Sequence, residues 1–448
     1  MKIIHYVIFA LYVVYIITLG SKKGEDFIST NKDTETIPDK LPWYENKWIR
    51  AAIPALLIHC SIGTVYCWSI FKLDIANYIG VAAGQVEWGF SIAIFCLGIS
   101  AAFGGHIIEK DIKKSSLIAA IFFFIGMVGT GVSIWMKSLL GICLFYGLIM
   151  GIGLGIGYLT PVKTLMQWFS KNKGLGTGLA VAGFGLAKVI ASPVMMYLKE
   201  ALGLFQMFFI LGIIYLVMMM LGHFMIARPP GLKETIHLSK FKPTKILKNP
   251  VFIGIWIMFF LNITCGLAII SHEKDIYFSL VDIHGIPILS AATVAILLSF
   301  SAIFNASGRI GFASLSDRMK DRNNVYKIIF IISIISLLGV VVTDGINNSI
   351  VFLVVAMFFL INAGYGGGFS SVPPLLSDRF GMKTISRVHG LTLTAWAFAG
   401  LAGNQIVSFI VYELGQSYTV VLYVLVVLFV VALLSSQFLV RPGNWGSD

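Results

Sequence analysis

Apolar runs long enough to cross a bilayer recur from one end of the chain to the other, separated by short polar turns. With about 20 apolar residues needed to span the hydrocarbon layer, the pattern predicts twelve spans. They fall at 49–71, 86–108, 115–136, 139–167, 174–198, 203–227, 251–272, 289–311, 326–343, 349–376, 387–412 and 417–440. Lipid offers no partner for backbone N–H and C=O groups, so each span is expected to be a helix that satisfies its own backbone. The longest break, Arg228 to Pro250, is polar and basic and divides six spans from six. The expected organisation is an N-terminal apolar helix and polar linker (1–46), a six-helix bundle (47–227), an inter-bundle loop (228–250) and a second six-helix bundle (251–448).

The bases between spans set an orientation. Loops after even-numbered spans carry Lys110, Lys113, Lys114, Lys171, Lys173, the lysines of the central loop, Arg318, Lys320, Arg322, Lys327, Arg379, Lys383 and Arg387. Loops after odd-numbered spans carry only Lys72, Lys137, Lys199 and Lys274, among acids such as Asp74, Glu87, Glu273, Asp275 and Asp282. The positive-inside rule therefore puts the even loops, and both ends of the twelve-span core, in the cytoplasm of a multi-pass cell-membrane protein. The apolar stretch Ile3–Leu19 admits three readings: a secretory signal after Lys2, a thirteenth span with an external N-terminus, or an extension from an upstream start. The extra helix is the preferred one.

Composition narrows the class. The chain is 57% hydrophobic and 12% charged, with a mean hydropathy of +0.88, far from a soluble globular domain. The net charge of +12 sits in alternate loops rather than in one basic surface, which argues for membrane orientation and against a nucleic-acid partner. Cys60, Cys67, Cys96, Cys143 and Cys265 lie in apolar runs without metal-ligand spacing, so neither a metal nor a disulfide framework is expected, and no other cofactor.

A charged signature then repeats in both halves. Gly105-His-Ile-Ile-Glu109-Lys110-Asp-Ile-Lys113-Lys114 follows the second span, and Ser314-Leu-Ser-Asp317-Arg318-Met-Lys-Asp-Arg322, after Gly308-Arg309-Ile-Gly311, follows the eighth. The same turn at the same place in two halves marks a duplicated bundle, and such bundles mostly move solutes by rocking one half against the other. Glu109, Lys110, Asp317 and Arg318 are accordingly the candidate gating residues.

More specific strings are Gly63-Thr-Val-Tyr66-Cys-Trp68, Tyr158-Leu-Thr-Pro161-Val162-Lys163, Gly174-Leu-Gly-Thr177-Gly178, Phe304-Asn305-Ala-Ser-Gly308-Arg309 and Tyr365-Gly366-Gly367-Gly368. Together with the doubled turn, the chain resembles the major facilitator superfamily and within it the oxalate:formate antiporter family, with more distant similarity to the monocarboxylate transporters. The resemblance covers roughly 47 to 440. It implies the twelve-helix fold of two six-helix bundles. It also implies that Arg309, late in the eighth span, binds a substrate carboxylate. A guanidinium suits that task, being planar, always charged and rich in paired donors. Asn305 lies at i−4 from Arg309, on the same helix face; the monocarboxylate transporters have an acid there, and Asn305 cannot hold a proton.

One departure bears on substrate. Oxalate exchange in the resembled family uses a lysine in the eleventh span, where this chain has Thr392-Leu-Thr394-Ala395-Trp396-Ala397. A dianion facing one cation leaves a carboxylate uncompensated in a low-dielectric site, so a monocarboxylate such as formate, lactate or pyruvate is favoured. Lys188, deep in the fifth span, is either a replacement second cation or a lysine reaching headgroups at the outer surface. Lys163 reads as snorkelling to the cytoplasmic surface. His59, near mid-span with no Asp or Glu at comparable depth, is the candidate proton-coupling group, with a hydrogen-bonded core histidine as the plainer alternative. The resemblance places Tyr66, Tyr158, Tyr365 and Trp396 along the cavity.

The expected function is secondary active transport of a small organic carboxylate by alternating access, as proton symport or anion exchange, by a carrier working as a monomer in the lipid bilayer. The alternatives are an oxalate:formate-type dicarboxylate antiporter using Lys188, a carrier of drugs or sugars, and a carboxylate sensor. An enzyme is not expected, since no span holds a carboxylate pair or a Ser/His arrangement.

Overall fold

Twelve helices long and apolar enough to cross a membrane appear in the computed structural model, which describes residues 42–232, 243–280, 288–342 and 351–441. They are α1 (Trp48–Cys67), α2 (Gly84–Lys110), α3 (Ile112–Trp135), α4 (Leu139–Trp168), α5 (Lys173–Leu202), α6 (Leu204–Met225), α7 (Pro250–Ser279), α8 (Ile296–Ser316), α9 (Asn323–Val341), α10 (Leu353–Phe380), α11 (Ile385–Val411) and α12 (Tyr418–Phe438). The expected apolar N-terminal helix, most of its linker and part of the central loop lie outside the described residues.

Local chemistry starts several of these helices where the polar breaks occur. The Asp111 carboxylate accepts from the backbone N–H groups of Lys113 and Lys114 and so opens α3 one residue after α2 ends. The Asn249 side chain does the same for Val251 and Phe252 at the start of α7, where Pro250 needs no donor partner. Large apolar side chains such as Phe103, Leu140, Phe224 and Ile335 point outward, as lipid-facing helices require.

Two corrections concern length and depth. Span seven runs past the expected end at residue 272 to Ser279, and Glu273 is not a loop acid but a helical side chain only 2% exposed. An acid is thus buried inside a span, six residues before α7 ends. Lys163 does not snorkel: it is 3% exposed, and it lines a small cavity with Ser386 and His389 of α11.

The first and last six helices meet mainly through α2 against α11 and α5 against α8. At the end carrying the basic loops, two symmetric contacts bind them. Asp317, closing α8, accepts from the backbone N–H groups of Gly174 and Leu175 at the start of α5, at 2.8 and 2.9 Å. Glu109, closing α2, accepts from the backbone N–H of Arg387 at the start of α11 (3.3 Å) and pairs with its guanidinium at 2.5 Å. In each half an acid meets the positive N-terminal end of a helix from the other half.

Candidate functional site

Arg309 sits in α8 and is 1% exposed. Burying a guanidinium is tolerable only if its donors and charge are answered. Its Nε donates to Asn305 Oδ1 at 3.0 Å, and one terminal nitrogen donates to the carbonyl of Val181 in α5 at 3.1 Å. The guanidinium also lies 5.3 Å from the Phe369 ring centre, a cation–π contact. Among the described residues no carboxylate is paired with it. Two glycines make the room: a Cβ at Gly185 would stand 3.2 Å from Arg309 Nε, and one at Gly366 would stand 2.1 Å from the Asn305 carbonyl oxygen.

An aromatic box closes around this charge. His59 of α1 stacks on Tyr158 of α4, their centres 5.3 Å apart. Phe184 of α5 meets Tyr66, Tyr158 and Trp396 edge-on at 5.3, 5.8 and 5.8 Å. Trp396 of α11 reaches Tyr158 at 5.6 Å and Phe369 of α10 at 4.7 Å, so the box is built from both halves. Helix α1 is locally overwound into a 3-10 turn at Gly63–Cys67, where Tyr66 sits.

The polar ends of the box are the informative part. The hydroxyls of Tyr66, Tyr158 and Tyr365 and the indole N–H of Trp396 are all buried without a hydrogen-bond partner. The Tyr66 hydroxyl lies beside both the Tyr365 hydroxyl and the Arg309 guanidinium. Orphaned buried donors are costly, about 1–3 kcal/mol each; three of the four, the tyrosine hydroxyls, lie within electrostatic range of the Arg309 guanidinium. Asn262 Oδ1, on α7, is likewise unpartnered, while its Nδ2 donates to the Tyr365 carbonyl at 3.4 Å.

The remaining sequence candidates are placed as follows. His59 is fully buried, with Nδ1 2.5 Å from the Ala180 carbonyl and Nε2 3.1 Å from that of Tyr158. A neutral ring donates to only one of these helical carbonyls at a time. Lys188 is half-buried and has no ion-pair partner among the described residues. It lies three residues beyond Gly185, hence on the face of α5 turned toward Arg309, one turn closer to the end opposite the basic loops. In the doubled turn the acids bridge the halves, but the neighbouring bases do not join them. Lys110 and Arg318 are exposed, and the guanidiniums that pair are Arg387 with Glu109 and Arg322 with Asp317 (2.6 Å). Lys173 adds a third tie across the halves, 3.6 Å from Asp378.

Sequence reasoning missed Glu273. Its carboxylate accepts from Tyr277 (2.9 Å) on its own helix, from Ser301 (2.5 Å) on α8 and from Asn362 (3.5 Å) on α10. Among the described residues, no group of three or more His, Cys, Asp or Glu side chains could hold a metal ion.

Comparison with known proteins agrees with this architecture. The Major Facilitator Superfamily profile matches residues 55–404. The chain is 26% identical over 357 residues to an uncharacterized MFS-type transporter, YhjX, of Escherichia coli, covering 78% of this chain and 84% of that one. It is 24% identical over 371 residues to the oxalate:formate antiporter of Oxalobacter formigenes, covering 80% and 84%. It is 28% identical to mouse monocarboxylate transporter 12 over 193 residues, 42% of this chain and 38% of that one. The fold superposes on the proton:xylose symporter XylE with a TM-score of 0.67 at 14% identity, over 87% of this chain and 94% of that one. With twelve apolar helices and a profile match over most of its length, this chain is a multi-pass membrane transporter of the major facilitator superfamily.

Proposed function

We propose that this transporter carries a small monocarboxylate, such as formate, lactate or pyruvate, with the carboxylate held by Arg309. The observation that carries the reading is the set of four unpartnered donors around one buried guanidinium, closed by aromatic walls that exclude water. In such a site the charge pairing is far stronger than in solution, and it weakens when the site opens to water, which allows release. The similarity to an oxalate:formate antiporter and to a monocarboxylate transporter supports the same substrate class.

The walls come from both halves, so exchange of substrate requires the halves to part on one side at a time. In our reading the basic end faces the cytoplasm of the cell membrane. The Asp317 and Glu109 contacts then hold the cytoplasmic side shut while the opposite side opens. Breaking them frees the inward route. The residue ranges 47–227 and 251–448 act as the two rocking bodies.

A dicarboxylate reading is favoured by one observation, the placement of Lys188 a single turn from the point where α5 meets Arg309. The stretch of α11 where the resembled antiporters carry a cation, Thr392 to Ala397, here contributes Trp396 to the aromatic wall. Uptake of labelled formate, lactate, pyruvate and oxalate into liposomes containing the purified protein decides between these. Saturable monocarboxylate uptake that Arg309→Ala abolishes supports the proposal. Uptake indifferent to Arg309→Ala contradicts it, and oxalate uptake lost in Lys188→Met favours the dicarboxylate reading.

A further inference from the structure

A second buried charge, on α7, contacts the face of α8 that carries Arg309. Glu273 is 2% exposed in α7, and all three of its hydrogen-bond donors are uncharged: a phenol, an alcohol and an amide. Among the described residues no cation is paired with it. A buried carboxylate in that position is stabilised far less than one in an ion pair, and its protonated form costs the site nothing electrostatically. Hydroxyl and amide neighbours suit both forms, because Ser301 and Tyr277 can donate to the carboxylate or accept from the acid.

The charged and titratable groups around it can be named element by element. On α7 itself, Tyr277 donates to it, His272 turns instead toward Tyr418 of α12 with ring centres 6.5 Å apart, Lys274 lies over the Phe278 ring at 5.9 Å, and Asp275 is exposed. Helix α8 contributes Ser301 and, two turns on, Arg309; α10 contributes Asn362. Helix α11 carries Arg387 and His389 near its other end and exposed Glu413 in the turn that continues it, and α12 has no ionisable side chain apart from its tyrosines. From the first six helices, Lys188 lies within electrostatic range but is only half-buried, outside the enclosed pair.

Ser301, Asn305 and Arg309 recur at i, i+4 and i+8, one polar stripe about 12 Å long on α8. Ser301 bonds Glu273 at one end of the stripe, and Asn305 bonds the guanidinium at the other. On α10, Asn362 stands one turn from Tyr365 in the same arrangement.

We propose that Glu273 is the proton-binding site of this carrier, read by Arg309 through the stripe on α8. The inference rests on the anion reading above and follows from charge balance. Empty and deprotonated, the pair Arg309⁺ and Glu273⁻ is neutral; loaded and protonated, guanidinium, substrate anion and neutral acid again sum to zero. Anion without proton leaves one net negative charge in the closed site, and proton without anion leaves one net positive charge. Either is costly in a dry interior. The halves therefore exchange sides with both ligands or with neither, which is symport of one proton with one monocarboxylate. Water on the open side supplies the proton to the carboxylate oxygen, and the reverse step returns it on the other side.

The test uses the full-length protein and the variant Glu273→Gln, which keeps the size and hydrogen bonding of the side chain but cannot ionise. Infrared difference spectra across about pH 5–8 are expected to show the carbonyl stretch of a buried carboxylic acid rising at low pH in the wild type and absent in Glu273→Gln. In liposomes, an inward gradient of one pH unit, with protein-free vesicles subtracted, is expected to drive accumulation of labelled formate, lactate or pyruvate approaching about tenfold. Glu273→Gln is expected to abolish that accumulation and keep counterflow exchange within about threefold of wild type. A carboxylate at 273 that does not titrate overturns the proposal. So does gradient-driven accumulation that survives in Glu273→Gln, or that is lost only in His59→Gln. Because the infrared titration needs no substrate, it stands or falls separately from the anion reading, which fails if Arg309→Ala leaves uptake unchanged.

Discussion

Arg309 and Glu273 lie at opposite ends of one polar stripe, are equally buried, and are finished in opposite ways. Around Arg309 donors outnumber acceptors: three phenols and an indole have no partner, and the guanidinium faces no acid among the described residues. Around Glu273 one carboxylate oxygen takes two hydroxyl donors and the other takes an amide. The first region is incomplete without something that brings negative charge and lone pairs. The second is complete as it stands and changes only by gaining a proton. In our proposal a binding site and a coupling site are distinguished by what the neighbours leave unsatisfied, rather than by how deeply the charge is buried.

The sharpest way to break the contrast is at the guanidinium. Arg309→Ala removes the one cation paired with substrate, and loss of one partner from a buried charge pair costs about 2–5 kcal/mol. Monocarboxylate uptake in liposomes is expected to fall by about a hundredfold or more. Next come the orphan hydroxyls. Tyr66→Phe and Tyr365→Phe each delete a donor aimed at a charged group, worth about 1.5–3 kcal/mol, so substrate affinity is expected to drop about tenfold or more in each. Stability should hold or rise, since the deleted donors have no partner in the closed state. A melting curve alongside the binding isotherm checks both halves of that statement.

Smaller effects are expected where the halves touch. Asp317→Asn weakens two backbone contacts from α5 and the pair with Arg322. It biases the opening equilibrium without touching substrate. Coupling energies of this kind run to about 1–3 kcal/mol, so exchange rate is expected to fall about tenfold while substrate Kd stays within about threefold. Lys188→Met should matter least for a monocarboxylate, with uptake within about threefold of wild type by the same scale. A large loss there would move the second cation into the site.

Much of this was legible in the chain alone. All twelve spans are visible as apolar runs, with ends within several residues of the helices, because a lipid environment makes hydropathy a direct readout of position. Arg309 was singled out by the family resemblance of its string and by the chemistry of a guanidinium; the structure shows it buried in α8. Glu273 was hidden by its neighbours. In His272-Glu273-Lys274-Asp275 the local sequence looks like a loop. Only the tertiary contacts with Ser301 and Asn362 reveal that the helix continues and turns that one acid inward. Lys163 was misplaced because depth along a helix does not say which neighbour covers a side chain; here α11 does. The acids of the repeat, Glu109 and Asp317, were visible in the sequence, but their partners, Arg387 and Arg322, are set by packing between segments distant in sequence or folded back.

The central claim is that Arg309 and the phenols around it grip one and the same carboxylate. A double-mutant cycle on equilibrium binding of the preferred monocarboxylate, using Arg309→Lys, Tyr365→Phe and the double variant, tests it directly. The expected result is a coupling of about 0.5–3 kcal/mol, the second change costing much less once the first has disturbed the shared ligand. Strictly additive losses, or binding within about threefold of wild type in all three variants, would contradict it.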